Sequence, residues 1–149
     1  MDDLPFHSVT RTITFPGRYD SLAKISQFVT RVAGAAGLGP TAVFAVEMAV
    51  DEACTNIIDH AYGGEGRGDI ECTCQIDSDR LTLRLCDQGR PFDPSSVPEP
   101  DINAGLEERR EGGLGLFLIR KLMDEVHFEF TPESGNVLTM VKWKEPSLD

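Results

Sequence analysis

The stretch Glu47-Met-Ala-Val-Asp-Glu-Ala-Cys-Thr-Asn-Ile-Ile-Asp-His60 has the periodicity of an α-helix with one polar and one apolar side. In a helix, Glu52, Asn56 and His60 follow each other at one-turn intervals and share a face. The apolar side is predicted to be buried and carries Val43, Val46, Val50, Ile57 and Ala61. A carboxylate and a carboxamide one turn apart can act together, because the first accepts a proton and the second coordinates a hard cation such as Mg²⁺. A solvated amphipathic helix shows the same pattern, so the stretch alone leaves both interpretations open.

A second polar motif, Leu85-Cys-Asp-Gln-Gly-Arg-Pro-Phe-Asp93, follows a run of residues with β-strand alternation. Asp87 is therefore predicted at the end of a strand, where a partly sheltered carboxylate can accept a hydrogen bond from an exocyclic amine such as that of adenine. Gly89 has no Cβ, so the backbone can turn there and a flat ring can approach it closely. By itself, Asp-x-Gly is also a common turn.

A third motif, Glu111-Gly-Gly-Leu-Gly-Leu-Phe-Leu-Ile-Arg-Lys-Leu-Met123, places a glycine cluster directly before an apolar run with helical spacing. Free backbone N–H groups and the helix dipole favour anions at a helix N-terminus, so the cluster is predicted to hold phosphates. Arg109 and Arg110 precede it as candidate phosphate ligands, with solvated loop charges as the alternative. The cluster matches neither the phosphate-loop pattern nor the dinucleotide fingerprint.

The order of these motifs resembles the nucleotide-binding domain shared by histidine kinases, type II topoisomerases and heat-shock chaperones. Within that superfamily, the chain resembles the anti-sigma-factor serine/threonine kinases of bacterial partner-switching systems. The resemblance extends from about residue 41 to residue 143 and is carried by Asp51-Glu-Ala-Cys-Thr-Asn56 with His60-Ala-Tyr62, by Asp87-Gln-Gly-Arg-Pro-Phe-Asp93, and by Gly112-Gly-Leu-Gly-Leu-Phe-Leu-Ile119 with Leu122-Met-Asp-Glu-Val126.

The resemblance implies a role for each motif residue in binding ATP and Mg²⁺. Glu52 would be the general base toward a protein hydroxyl, and Asn56 would be the Mg²⁺ ligand. Asp87 would hold the adenine amino group, and Gly89 would lie under the ring. Segment 94–110 would form a lid over the nucleotide. The backbone facing the phosphates would be that of Gly113 and Gly115 with their neighbours Gly112 and Leu114.

Asp51 and Arg90 are the two positions at which the motifs allow another assignment or depart from the wider superfamily. Asp51 is a rival base, but adjacent helix residues point about 100° apart and only Glu52 shares the face of Asn56. Arg90-Pro91 stands where the wider superfamily commonly has a second glycine, as it does in the anti-sigma-like subgroup.

Composition limits the classes of protein to which the chain can belong. With 149 residues, 40% of them hydrophobic, it is predicted to form one domain over residues 1–149. The formal charge of −11 argues against a nucleic-acid partner, because phosphates favour a basic surface. Neither a signal peptide nor a membrane-length apolar stretch is found in the sequence, so no membrane contact is expected. A reduced, cytoplasmic protein is predicted from its cysteines, which show no paired spacing. The cysteines lack metal or redox spacing and are predicted to be small core residues: Cys54, Cys72, Cys74 and Cys86.

The remaining periodicities predict an α+β fold. Strands are expected at 9–15, 69–77, 80–86, 126–131 and 136–142, and helices at 18–36, after Pro40 with Thr41 as the cap, and at 115–123. This set predicts a two-layer α/β sandwich, with a mixed, mostly antiparallel sheet and helices on one face. The histidine-kinase-like, or Bergerat-type, ATPase fold implied by the resemblance has the same architecture.

The leading hypothesis is an ATP- and Mg²⁺-dependent serine/threonine kinase that phosphorylates an anti-sigma-factor antagonist and sequesters a sigma factor. The partners and a homodimer are implied by the resemblance alone. A non-catalytic module that binds ATP or ADP to switch partner affinity is the alternative. A scaffold in which the motifs coincide by accident is a third possibility. The sequence does not specify the sigma factor, the antagonist, or whether the target is Ser or Thr.

Overall fold

The computed structural model describes residues 8–94 and 114–145, which form a five-stranded sheet and a layer of helices. The sheet order is β1-β2-β3-β5-β4, and every strand pairing in the described part is antiparallel rather than mixed. The predicted α+β two-layer architecture is confirmed. The strands are β1 Val9–Pro16, β2 Asp69–Ile76, β3 Arg80–Asp87, β4 Glu125–Thr131 and β5 Gly135–Trp143. The helices are α1 Leu22–Ala35, α2 Pro40–Asn56 and α3 Leu114–Leu122.

One face of the sheet carries the core, and register determines which residues reach it. Cys72 pairs with Leu85 and Cys74 with Leu83, and directly paired residues project to the same side of a sheet. All four side chains are fully buried under the helices. Cys54 of α2 is buried as well, while Cys86 is half-buried on the opposite face. The predicted core role is therefore confirmed for three of the four cysteines.

Helix α2 lies at the centre of the helical layer, in contact with α1 on one side and α3 on the other. Its buried surface is consequently wider than the single stripe predicted from the sequence, and it includes small residues that let the neighbouring helices approach: Ala42, Ala45, Ala49 and Ala53. Gly39 takes the N-cap position and Pro40 the first helical position. The predicted Thr41 cap is wrong, because the cap lies two residues earlier and the helix begins with a proline whose φ suits the first helical position.

A π-helical turn, Ile57–Ala61, extends α2 toward the sheet. The Tyr62 N–H donates to the Ile57 carbonyl at 2.9 Å, which closes this wider turn. His60 lies exposed within it. Single π-helical turns occur frequently at functional sites.

Strand β1 lies at an edge of the sheet and is poorly covered by the helices. Its helix-side residues Val9 and Ile13 remain 38% and 40% exposed, whereas Phe15 is buried. None of the helices in the described part of the chain is long and apolar enough to cross a bilayer.

Alanine substitutions at two glycines test the backbone of the fold, because they are expected to change the free energy of unfolding with opposite signs. Gly135 has φ +76° and an added Cβ would collide with the Asp87 carbonyl, whereas a Cβ on Gly34 in α1 meets nothing within 4 Å. We expect Gly135→Ala to lower the free energy of unfolding by about 1–3 kcal/mol through backbone strain. Gly34→Ala should raise it by about 0.5–1 kcal/mol, because alanine is the better helix former. Urea unfolding monitored by circular dichroism measures both changes, and equal effects of one sign would contradict the described backbone.

Candidate functional site

The first turn of α3 packs directly on the polar pair of α2. A Cβ built on Gly115 would lie 2.9 Å from Glu52 Oε2 and 3.0 Å from Asn56 Nδ2. Only a residue without a side chain leaves both groups in place. The structure therefore brings the third sequence motif against the first, with the predicted base and the predicted metal ligand on the same side of α2.

The Asp87 carboxylate lies at the end of β3, turned toward the helical layer and only 4% exposed. Its Oδ1 atom accepts hydrogen bonds from the Gly89 N–H at 2.9 Å and from Asn136 Nδ2 at 2.9 Å. Burial raises the pKa of Asp87, and the hydrogen bonds from Asn136 and Gly89 oppose that rise. Both of these bonds end on Oδ1, so Oδ2 can accept a hydrogen bond from a bound molecule.

Asn136 is a functional candidate that sequence reasoning did not identify. Its Nδ2 donates to Asp87 and also to the Arg90 carbonyl at 2.8 Å, while its Oδ1 accepts from the Phe92 N–H at 3.0 Å. The acceptor bond to a backbone N–H fixes which end of the amide faces Asp87. Asn136 lies opposite Asp87 in the β3–β5 register, and only that register could have revealed it from the sequence.

The turn after Asp87 docks on the end of the α2 helix. A Cβ on Gly89 would lie 2.5 Å from the carbonyl carbon and oxygen of Ala61, so glycine is required there for close approach. The Arg90 N–H donates to the Ala61 carbonyl at 2.8 Å, and Arg90 Nη2 donates to the His60 carbonyl at 2.6 Å. Arg90 therefore caps the π-helical turn with both its backbone and its side chain.

Tyr62 holds the same turn from a third direction and was not assigned a role from the sequence. Its hydroxyl donates to the Asp69 carbonyl at 2.6 Å and accepts the Gln88 N–H at 2.9 Å. Burial raises the pKa of Tyr62 above its ordinary value of 10.0, so the phenol, already protonated at neutral pH, stays a donor over a wider pH range. Two strands and the helix end are thus joined beside Asp87.

The remaining predicted residues differ in how far the structure describes them. Leu114 begins α3, whereas Arg109, Arg110, Gly112 and Gly113 lie outside the described residues, as does the predicted lid apart from Pro94. The rival base Asp51 is exposed, and the three atoms nearest to an added Gly115 Cβ belong to Glu52 and Asn56. Within 8–94 and 114–145, no cluster of three or more His, Cys, Asp or Glu side chains is arranged to hold a metal ion unaided.

Comparisons with known proteins agree with this arrangement. The family described as the histidine kinase-like ATPase domain matches residues 15–142. The serine-protein kinase RsbW of Halalkalibacterium halodurans is 36% identical, with 90% of this chain and 83% of that protein covered. RsbW of Listeria monocytogenes is 35% identical, with 89% and 85% covered. RsbW of Bacillus cereus is 34% identical, with 86% and 81% covered.

Two solved structures share the fold at low sequence identity. The Mycobacterium tuberculosis protein solved with its RsbU and RsbW domains gives a TM-score of 0.66 at 13% identity, covering 93% of this chain and 33% of that one. The catalytic domain of the histidine kinase ThkA gives 0.54 at 12% identity, covering 92% and 99%. The hypothesis that the three motifs coincide by accident is therefore wrong. The chain belongs to the histidine kinase-like ATPase family and, within it, to the RsbW serine-protein kinases.

Proposed function

We propose that the chain is an ATP- and Mg²⁺-dependent serine/threonine kinase that phosphorylates an anti-sigma-factor antagonist and sequesters a sigma factor. The observation that carries the proposal is the convergence of Glu52 and Asn56 on Gly115, which places an acid–base group beside the first turn of α3. Membership in the RsbW family supports the same activity.

The adenine end of the nucleotide site is assigned to Asp87. Oδ2 of its buried carboxylate is available as an acceptor, because the bonds from Gly89 and Asn136 both end on Oδ1. An exocyclic amine satisfies that acceptor, whereas a 6-oxo base would place its own acceptor against a carboxylate. The site should therefore prefer ATP to nucleotides with a 6-oxo base.

The phosphate end is assigned to the α3 N-terminus, with Gly112, Gly113, Leu114 and Gly115 supplying backbone N–H groups. Asn56 would contribute an oxygen to Mg²⁺. The donor set fits this ion, because magnesium sites commonly combine one or two protein oxygens with water and phosphate oxygens instead of a complete protein cage. Bound there, the ion would neutralise charge on the phosphates. Arg109 and Arg110 would add positive charge in a chain whose net charge is −11.

Glu52 is assigned as the general base of the transfer. The acceptor hydroxyl oxygen forms a bond to the γ-phosphorus, the bond between that phosphorus and the ADP oxygen breaks, and the hydroxyl proton passes to the Glu52 carboxylate. The side chain is half-buried, which limits competition from solvent.

The antagonist, the sigma factor and the homodimer follow from the family resemblance, and one structural feature supports the dimer. Edge strand β1 exposes Val9 and Ile13 on its helix side. An exposed apolar edge strand is a template for pairing with a second chain. We place the dimer contact there.

The role assigned to Asp87 in recognising adenine predicts that a substitution there changes the nucleotide selectivity of the site. Asp87→Asn preserves an oxygen for the Gly89 and Asn136 hydrogen bonds but replaces Oδ2 by an amide donor. We expect ATP affinity to fall at least about tenfold, since a hydrogen bond to a charged group is lost, while inosine triphosphate binding improves. Isothermal titration calorimetry with both nucleotides and Mg²⁺ measures this. Unchanged ATP affinity would contradict the assignment, and no ATP binding by the wild type would contradict the proposed function.

The same carboxylate predicts a pH dependence. Only the ionised form accepts the amine, and burial raises the pKa of Asp87 above its ordinary value of 3.8. ATP should therefore bind with its full affinity at pH values above the raised pKa of Asp87, and this affinity should fall as the pH falls through that pKa. In Asp87→Asn the residual affinity should not show this titration. An acid limb that persists unchanged in the variant would assign the titration to another group.

The chemical role of Glu52 predicts a separation of binding from turnover. Glu52→Gln keeps the size of the side chain but cannot accept the proton, so we expect phosphorylation of the antagonist to fall at least about a hundredfold with ATP affinity preserved. Transfer from γ-labelled ATP at saturating acceptor measures the turnover. Asp51→Asn serves as the comparison and should keep kcat. If Asp51→Asn lost turnover and Glu52→Gln retained it, Asp51 would be the base.

The dimer assignment predicts different effects at the two edges of the sheet. Ile13 on β1 and Phe130 on β4 are similarly exposed, at 40% and 43%. We expect Ile13→Lys to give a monomer, because it places a charge on the proposed contact, and Phe130→Lys to remain dimeric. Sedimentation velocity at micromolar concentration measures both. A monomeric wild type, or loss of the dimer only in Phe130→Lys, would contradict the β1 contact.

A further inference from the structure

Two large apolar side chains remain exposed on α2, in line with Glu52. Phe44 is 58% exposed and Met48 is 38% exposed. They lie two turns and one turn before Glu52, and residues four apart form a continuous ridge on a helix. We name this surface the Phe44–Met48 ridge. Its two residues lie about 12 Å and 6 Å from Glu52 along the helix axis, at 1.5 Å per residue.

Among the residues that the structure describes, the ridge leads to the side of Glu52 that faces away from Gly115. On the side toward α3, Gly115 approaches both Glu52 and Asn56, as the contacts of its added Cβ show. On the other side of Glu52, Asp51 is exposed to solvent like Phe44 and Met48. A macromolecule that delivers a hydroxyl to Glu52 can therefore approach over the ridge without displacing α3.

Charge divides the same surface of α2 into an apolar end and an acidic end. Helix α2 contains Glu47, Asp51 and Glu52 but no lysine or arginine. The Glu47 carboxylate accepts a hydrogen bond from the Ser26 hydroxyl of α1 at 2.6 Å, which turns it away from the ridge. Asp51 thus provides an exposed negative charge beside Glu52, and the complementary surface is apolar with a basic residue near its hydroxyl.

From these observations we infer that the Phe44–Met48 ridge is the docking surface for the protein that carries the acceptor hydroxyl. Apolar side chains of that protein cover Phe44 and Met48, and a basic side chain next to its acceptor Ser or Thr faces Asp51. The inference rests on the proposed kinase function and adds to it the surface and the substrate chemistry. Single exposed apolar residues are common on protein surfaces, but Phe44 and Met48 are aligned with Glu52. Their distances from Glu52 along the helix are smaller than the width of a standard protein–protein interface.

The experiment uses the full chain and, as probe, the purified antagonist protein that the wild type phosphorylates in the Glu52 experiment. Phe44→Ser, Met48→Ser and Asp51→Lys are compared with Trp143→Ser, which removes an apolar side chain of 51% exposure on the opposite face of the sheet. The measurements are KM and kcat for the antagonist, calorimetric ATP affinity, melting temperature and sedimentation velocity.

We expect Phe44→Ser, Met48→Ser and Asp51→Lys each to raise KM for the antagonist at least tenfold, with kcat and ATP affinity within twofold of the wild type. An antagonist variant in which the basic residue nearest the acceptor is replaced by glutamate should regain affinity for Asp51→Lys. Trp143→Ser should leave KM unchanged. Unchanged KM in Phe44→Ser and Met48→Ser would overturn the inference, and so would loss of the dimer in these variants, which would assign the ridge to a second copy of the chain. A wild type that phosphorylates no antagonist would instead overturn the proposed function and the docking surface with it.

Discussion

The buried carboxylate of Asp87 imposes the constraint on which the rest of the site depends. An ionised carboxylate removed from water costs several kcal/mol unless hydrogen bonds replace its hydration. Here the replacements come from the Gly89 N–H in the following turn and from the Asn136 side chain on β5. Asn136 in turn binds the backbone at Arg90 and Phe92. Satisfying one charge therefore fixes the end of β3, the start of β5 and the turn between β3 and the next segment, and it leaves the second carboxylate oxygen for recognition.

The two motif glycines that the structure describes, Gly89 and Gly115, are explained by close approach, whereas the sequence suggested conformational freedom as one reason for Gly89. The described glycines with positive φ are Gly37, Gly63, Gly64, Gly66 and Gly135, and neither Gly89 nor Gly115 is among them. What Gly89 and Gly115 share is a neighbour where a Cβ would lie: the Ala61 backbone in one case, and Glu52 with Asn56 in the other. The Gly89 contact joins the turn after β3 to the end of the α2 helix, and the Gly115 contact joins the start of α3 to α2. Because neither glycine has a side chain, the second and third sequence motifs can both pack against the helix that carries the first.

Local patterns were sufficient to predict the helices, the strands and the shared face of Glu52 and Asn56, because a helical period of 3.6 residues fixes that geometry within a few residues of chain. The roles of Asn136, Tyr62 and Arg90 could not be predicted in this way. Asn136 is placed opposite Asp87 by the register of β3 and β5, and Arg90 reaches the His60 carbonyl only because Gly89 lets the two backbones meet. These contacts join residues far apart in the chain, and no periodicity encodes them. The Thr41 cap failed for a local reason, since Pro40 is itself suited to the first helical position.

Helix α2 lies at the centre of the helical layer and also carries the side chains of the proposed chemistry. Its alanines make both possible, because they let the neighbouring helices pack closely against it. Ala45 and Ala49 are buried on a helix that contacts both α1 and α3, and small side chains let helix axes approach closely. That approach brings Gly115 within reach of Glu52 and Asn56. A helix packed on both flanks cannot rotate about its axis without losing buried contacts, so the direction of the two polar side chains is set by packing before any ligand binds. Pre-organisation of this kind stabilises a transition state because the groups need not reorient during the reaction. It also leaves α2 one narrow exposed strip, and because residues four apart lie on one ridge, a partner bound on Phe44 and Met48 is aligned with the base by the helix itself.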